Sequence, residues 1–113
     1  MSRKTQLERE LKRATRVIVR RYHPDRVFLF GSLAHGRVHR WSDIDLAIVK
    51  PTRRRFIDRI GDVLRLVEPT TGFNAVVYTP DEVKRMKRRD HSFWADEIEK
   101  KGKVLYDRVR AVA

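Results

Sequence analysis

Two aspartates separated by one residue, Asp43 and Asp45, are the side chains best suited to chemistry in this sequence. An apolar run follows them, which predicts a strand with both carboxylates on one face and Ile44 on the other. A rise of about 3.3 Å per residue places them roughly 6 to 7 Å apart. Two such anions beside a buried strand repel, so at least one pKa should rise unless a cation lies between them. Mg²⁺ prefers oxygen ligands and leaves positions open for phosphates, so the pair predicts a magnesium site.

A glycine and a serine, Gly31-Ser32, follow an earlier apolar run at residues 27–30. A glycine directly after a strand lets backbone N–H groups approach a phosphate, and the serine adds a hydroxyl donor. The turn between the two motifs carries Arg37 and Arg40, whose guanidinium groups match the geometry of a phosphate tail. The segment therefore predicts a site for a phosphorylated ligand. The alternative is a hairpin whose aspartates only face solvent.

The order of these motifs is informative in itself. Gly31-Ser32, a spacer of nine residues from Leu33 to Trp41, and Ser42-Asp43-Ile44-Asp45 together resemble the nucleotidyltransferase superfamily related to DNA polymerase beta. The layout of nearly the whole chain resembles the minimal nucleotidyltransferases, which are often encoded beside a HEPN-domain protein.

The resemblance implies a nucleotidyltransferase fold and a function. Gly31 and Ser32 would hold the β- and γ-phosphates of a nucleoside triphosphate, with ATP expected, and Asp43 and Asp45 would hold Mg²⁺ against the α-phosphate. A nucleoside monophosphate would be transferred to a hydroxyl of another molecule. The resemblance further implies an antitoxin that modifies a tyrosine of a HEPN toxin partner.

One position departs from the family pattern. Members generally carry a third acidic residue near the start of the strand after the long helix, and Asn74 stands at the matching position. Asparagine is neutral and cannot accept a proton from an attacking hydroxyl. Loss of a general base costs roughly a hundred-fold to ten-thousand-fold in rate. The possible substitutes are Glu68, Asp81 and Glu82, of which Glu82 is better explained as a helix cap.

The charge balance leaves other functions open. With 27 Lys and Arg against 15 Asp and Glu, the formal net charge is +12, which favours an anionic partner. One alternative is a binding subunit, catalytically weakened by Asn74, that neutralises its partner by occlusion. A weaker alternative is a nucleic-acid-binding module, whose binding would fall steeply with salt.

The elements that must position these residues follow from hydrophobic periodicity. We expect an α/β (α+β) domain with a mixed sheet of about four strands, and Trp41 packed beneath the turn. Capping boxes are predicted at Thr5-Gln6-Leu7-Glu8 and Thr79-Pro80-Asp81-Glu82. The predicted helices are 5–20, a long helix opened by Pro51-Thr52, 80–88 and 92–100, and the predicted strands are 26–30, 43–49, 73–78 and 104–106.

Length and composition bound the rest. The 113 residues are expected to form a single domain, 1–113. The sequence has no cysteine, which excludes disulfides and thiolate metal sites. It shows neither a signal peptide nor an apolar run of membrane-spanning length, so we expect a cytoplasmic protein.

Overall fold

The computed structural model of the protein describes residues 2–89 and 91–111. The strands are β1 (Arg26–Phe30), β2 (Ile44–Val49), β3 (Phe73–Tyr78) and β4 (Lys103–Asp107). The helices are α1 (Arg3–Val17), α2 (Phe56–Val67), α3 (Pro80–Lys87) and α4 (Arg108–Ala111). Two π-helical segments, Ile18–Tyr22 and Trp94–Lys100, and a 3₁₀ turn, Ser32–His35, complete the chain order.

The four strands form one mixed sheet in the order β3-β2-β1-β4. β1 is antiparallel to both β2 and β4, whereas β2 and β3 are parallel and are joined through α2. The predicted α/β (α+β) fold with a mixed sheet of about four strands is confirmed. The end of β1 and the starts of β2, β3 and β4 consequently meet at one end of the sheet.

Both faces of the sheet are covered. One apolar cluster joins α1 and α2 to one face, and a second cluster joins α3 and the π-helical segment Trp94–Lys100 to the other. Within β2, Leu46 and Ile48 belong to the first cluster, while Ala47 and Val49 belong to the second. By the alternation of a strand, Asp45 lies on the side of the second cluster.

The start of α1 differs from the prediction. Ser2 caps the helix by accepting a hydrogen bond from the backbone N–H of Thr5 at 3.1 Å, and the helix begins at Arg3. Thr5 lies inside the first turn, so the capping box predicted there is wrong. Serine and threonine are both good N-cap residues, so the local sequence did not distinguish Ser2 from Thr5 as the cap. The helical run also continues past residue 20 to Tyr22.

The start of α2 is also displaced. The helix begins at Phe56 rather than at Pro51-Thr52. The Thr52 hydroxyl accepts a hydrogen bond from the backbone N–H of Arg54 at 3.0 Å, and such a local turn competes with helix formation. In contrast, the capping box predicted for α3 is confirmed, with Thr79 and Glu82 bonded reciprocally.

The end of the chain matches the prediction in outline. The last strand extends one residue beyond the expected range on each side, and the short α4 was not predicted. No helix in the described part of the chain is long and apolar enough to cross a membrane.

Candidate active site

Asp45 lies at the start of β2 between two neighbouring strands. It is paired in register with Phe30 of β1 and with Asn74 of β3. Asp43 precedes β2, because the strand begins at Ile44, one residue later than expected. The Ile44 N–H donates to the carbonyl oxygen of Gly72, the residue before β3. The sheet therefore brings the two aspartates, Asn74 and the end of β1 together.

Each aspartate lies against the backbone of a glycine. A Cβ added to Gly31 would overlap the carboxylate of Asp45, and one added to Gly72 would overlap that of Asp43, both closer than the 3.0 Å that real Cβ atoms keep. Gly31 also has a φ of +77°, which side chains other than hydrogen disfavour. The carboxylates in these positions therefore need glycine at both residues, and Gly72 was not among the site residues predicted from the sequence. Its place directly before the third strand was the available signal.

The electrostatics of the pair agree with the expected repulsion. Burial raises the pKa of Asp45, and the negative charge of Asp43 raises it further. A hydrogen bond of 3.0 Å from Asn74 Nδ2 to Asp45 Oδ1 opposes this shift. The carboxylate of Asp45 is therefore held in a place that favours either a proton or a cation.

A serine pair fixes the turn beside the aspartates. The Ser32 hydroxyl donates to Ser42 Oγ at 3.2 Å, and Ser42 Oγ also accepts from the His39 N–H at 2.9 Å. Ser42 is 2% exposed, and its carbonyl oxygen accepts from Arg3 Nη2 at 2.7 Å. Ser42 thus links the Gly31-Ser32 turn, the following loop and α1. Sequence reasoning missed this role, and the serine next to the first aspartate was its only signal.

The two arginines proposed for the phosphate tail lie on the same loop. Arg37 and Arg40 are exposed and form no ion pair within the described residues. The Arg40 guanidinium lies 5.3 Å from the centroid of the Trp41 ring. Trp41 is 77% exposed, so the expectation that it packs beneath the turn is wrong. The Trp41 ring therefore lies on the surface, where its contact is with the Arg40 guanidinium and not with the core.

The structure separates two of the three possible substitute acids from the site. Glu82 accepts from Arg59 at 2.7 Å and from the Thr79 N–H at 2.7 Å. This ion pair lies at the far end of β3 from Asn74, and Asp81 lies in the same first turn of α3. Glu68 ends α2 with an exposed side chain and makes no hydrogen bond or ion pair through its carboxylate to any other described residue. Asn74 is the residue of β3 that contacts Asp45.

The donor set fits one hard cation shared with phosphate oxygens. Asp43 and Asp45 supply carboxylate oxygens, and the raised pKa of Asp45 is the shift that a bound cation would relieve. Among residues 2–89 and 91–111 there is no group of three or more His, Cys, Asp or Glu side chains placed to hold a metal. A site with three carboxylates is therefore absent from this part of the chain.

Comparison with known proteins identifies the family. Residues 12–111 match the family model described as Polymerase beta, Nucleotidyltransferase, and the chain belongs to this nucleotidyltransferase family. A solved structure from Sulfolobus solfataricus, provisionally described as a nucleotidyltransferase, superimposes with a TM-score of 0.67 and 19% identity. The match covers 95% of this chain and 86% of that one, and at this identity it shows the fold alone. No curated protein matches the sequence significantly.

Proposed function

We propose that this protein binds a magnesium-bound nucleoside triphosphate, with ATP as the substrate, and transfers the nucleoside monophosphate to a hydroxyl of a partner protein. Pyrophosphate is the leaving group: the acceptor oxygen bonds to the α-phosphorus while the bond from the α-phosphorus to the oxygen shared with the β-phosphate breaks, and the hydroxyl proton passes to water. Membership of the nucleotidyltransferase family supports the reaction class. The acceptor and the nucleotide are the parts that the proposal adds.

The observation that carries the proposal is that Asp45 lies against Gly31, the neighbour of Ser32, while Ser32 contacts Ser42, the neighbour of Asp43. Gly31 and Ser32 would hold the β- and γ-phosphates, and the exposed Arg37 and Arg40 are free to reach the same tail. Bound Mg²⁺ would neutralise phosphate charge and polarise the α-phosphate. Asp43 and Asp45 would fix its position, since their own freedom is limited by the glycines they touch.

The partner in this proposal is a HEPN-domain protein, for which this chain acts as antitoxin. The support is the resemblance to minimal nucleotidyltransferases together with the net charge of +12, which suits an acidic surface. Because the reaction consumes ATP, the proposal places the protein in the cytoplasm.

The test is transfer of label from ATP labelled at the α-phosphate to the protein encoded by the neighbouring gene. The wild-type protein should label its partner, whereas Asp43→Asn with Asp45→Asn should not. Asp81→Asn with Glu97→Gln removes the same charge away from the site and should behave as wild type. Labelling that survives loss of both Asp43 and Asp45 would refute the site.

A second candidate is a catalytically weakened antitoxin that works by occlusion. The amide nitrogen of Asn74, directed at Asp45 from the position of the third acid, favours it because no carboxylate there can accept the acceptor proton. In that case Mg²⁺-ATP binds with measurable heat, the partner is inhibited, and no label is transferred.

A further inference from the structure

A recess of about 470 Å³ lies between α1 and the loop that precedes β3. It adjoins the candidate active site on two sides. Arg3, in its wall, donates to the carbonyl oxygen of Ser42, the residue before the first aspartate. Thr71, also in its wall, is followed by the glycine that touches Asp43. The full lining is Arg3, Gln6, Arg9, Glu10, Arg13, Thr70 and Thr71.

One of the three arginines that line the recess, Arg13, is already neutralised by Glu10. Arg13 contacts Glu10 with two hydrogen bonds of 2.6 and 2.9 Å, and the Thr70 N–H donates to the same carboxylate at 2.6 Å. Chiefly through the bond from Arg13, the pKa of Glu10 is lowered to about 2, so Glu10 is ionised at neutral pH. This pair shows that the wall of the recess can hold a carboxylate between a guanidinium and a backbone N–H.

The two remaining arginines have unused donors. Arg3 Nε is buried and has no hydrogen-bond partner within the described residues. Arg9 is exposed and makes no ion pair or side-chain hydrogen bond to any other described residue. A buried donor without a partner costs free energy, and Arg3 also lines the recess, so a small shift of its side chain would let an anion there accept from it.

We propose that this recess binds a carboxylate side chain of the acceptor protein, through Arg3 and Arg9, beside the hydroxyl that is modified. The inference rests on the proposed function and adds the local sequence of the acceptor: acidic residues close to the target hydroxyl. A carboxylate is favoured over nucleic acid for two reasons. The recess already seats one carboxylate, and its lining has no aromatic side chain for a base to stack on.

The experiment measures fluorescence anisotropy of a labelled pentapeptide at low salt, without nucleotide or metal. The peptide has a central tyrosine flanked by aspartates and glutamates, and a neutral version replaces these with asparagines and glutamines. Arg3→Gln with Arg9→Gln should weaken peptide binding at least roughly ten-fold, because each variant residue loses a hydrogen bond to a charged carboxylate. Arg16→Gln with Arg20→Gln removes two charges from exposed positions of the same helical run and should change binding less than about two-fold.

Further arms separate the possible outcomes. Arg9→Gln alone should give part of the loss with an unchanged melting temperature, because it leaves the Arg3 bond to Ser42 intact. Three results would overturn the inference. The first is an equal loss of binding in the two double variants, and the second is no peptide binding at low salt. The third is a single-stranded oligonucleotide that binds through Arg3 and Arg9 while the acidic peptide does not bind. Asp43→Asn with Asp45→Asn should abolish the heat of Mg²⁺-ATP binding but not weaken peptide binding. Peptide binding through the recess without any Mg²⁺-ATP binding by the wild type would refute the proposed function alone.

Discussion

Asn74 Nδ2 donates a hydrogen bond of 3.0 Å to Asp45 Oδ1 across the parallel pair of strands β2 and β3. A neutral amide thus partners a half-buried carboxylate where a third acid would repel it. The bond lowers the pKa of Asp45 against the larger effect of burial. Asn74 therefore stabilises the ionised form of Asp45 in the absence of metal.

Asn74→Asp is the most direct test of what the residue at this position contributes. We expect the rate of transfer to rise roughly a hundred-fold to ten-thousand-fold if a general base is all that is missing. The metal-free variant should also unfold at lower urea concentration at pH 8, since a third anion then faces Asp45. Asn74→Ala is the control, because it removes the hydrogen bond without adding a base. An unchanged rate for Asn74→Asp would mean that other parts of the site have also been lost.

The raised pKa of Asp45 predicts how stability depends on pH. Burial raises this pKa above its ordinary 3.8, so the folded protein binds the proton more tightly than the unfolded chain. The contribution of Asp45 is therefore most favourable at acid pH and is lost as pH rises through the folded pKa. Asp45→Asn should be more stable than wild type at pH 7 in EDTA, with the difference shrinking as pH falls towards 3.8. Urea unfolding measures both, and a gap that is constant with pH would contradict the burial effect.

The two glycines should have separable effects on ligand binding. Gly72→Ala places a methyl group against Asp43 and should weaken Mg²⁺-ATP binding in calorimetry by displacing the carboxylate. Gly31→Ala meets Asp45 and also strains a positive φ, which costs about 1 to 3 kcal/mol. Gly36→Ala is the matched control, because its φ is +70° but nothing lies within 4 Å of its added Cβ. It should lower stability similarly and leave binding unchanged; weakened binding in Gly36→Ala would indicate a general effect of the loop.

The serine pair separates stability from phosphate binding. Ser42→Ala removes the buried acceptor for the His39 N–H and should lower the free energy of unfolding by about 1 kcal/mol. Ser32→Ala leaves that bond in place and should change stability little, but it should weaken Mg²⁺-ATP binding by removing a phosphate donor. Thermal unfolding and calorimetry on both variants test this. The reverse pattern would assign the Ser32 hydroxyl to the fold alone.

Local patterns predicted much of the architecture. The apolar runs of β1 and β2 and the capping box at Thr79 are determined by neighbours in sequence, and the structure contains all three. The start of α1 was misplaced because Ser2 and Thr5 offer the same kind of cap three residues apart. Similarly, nothing in the local sequence says that Thr52 caps a turn rather than α2.

The sequence by itself determined the two aspartates, the Gly31-Ser32 turn and the absence of a third acid at Asn74. The tertiary structure alone decided which groups meet them. Asn74 and Asp45 are 29 residues apart, and their contact depends on strand order and register. Arg3 and Ser42 are 39 apart, and their contact depends on how α1 packs beside the loop before β2. The approach of Gly72 to Asp43 is also such a contact. Local propensity cannot specify these contacts, because they form only when the sheet aligns its strands at one end and α1 packs beside it.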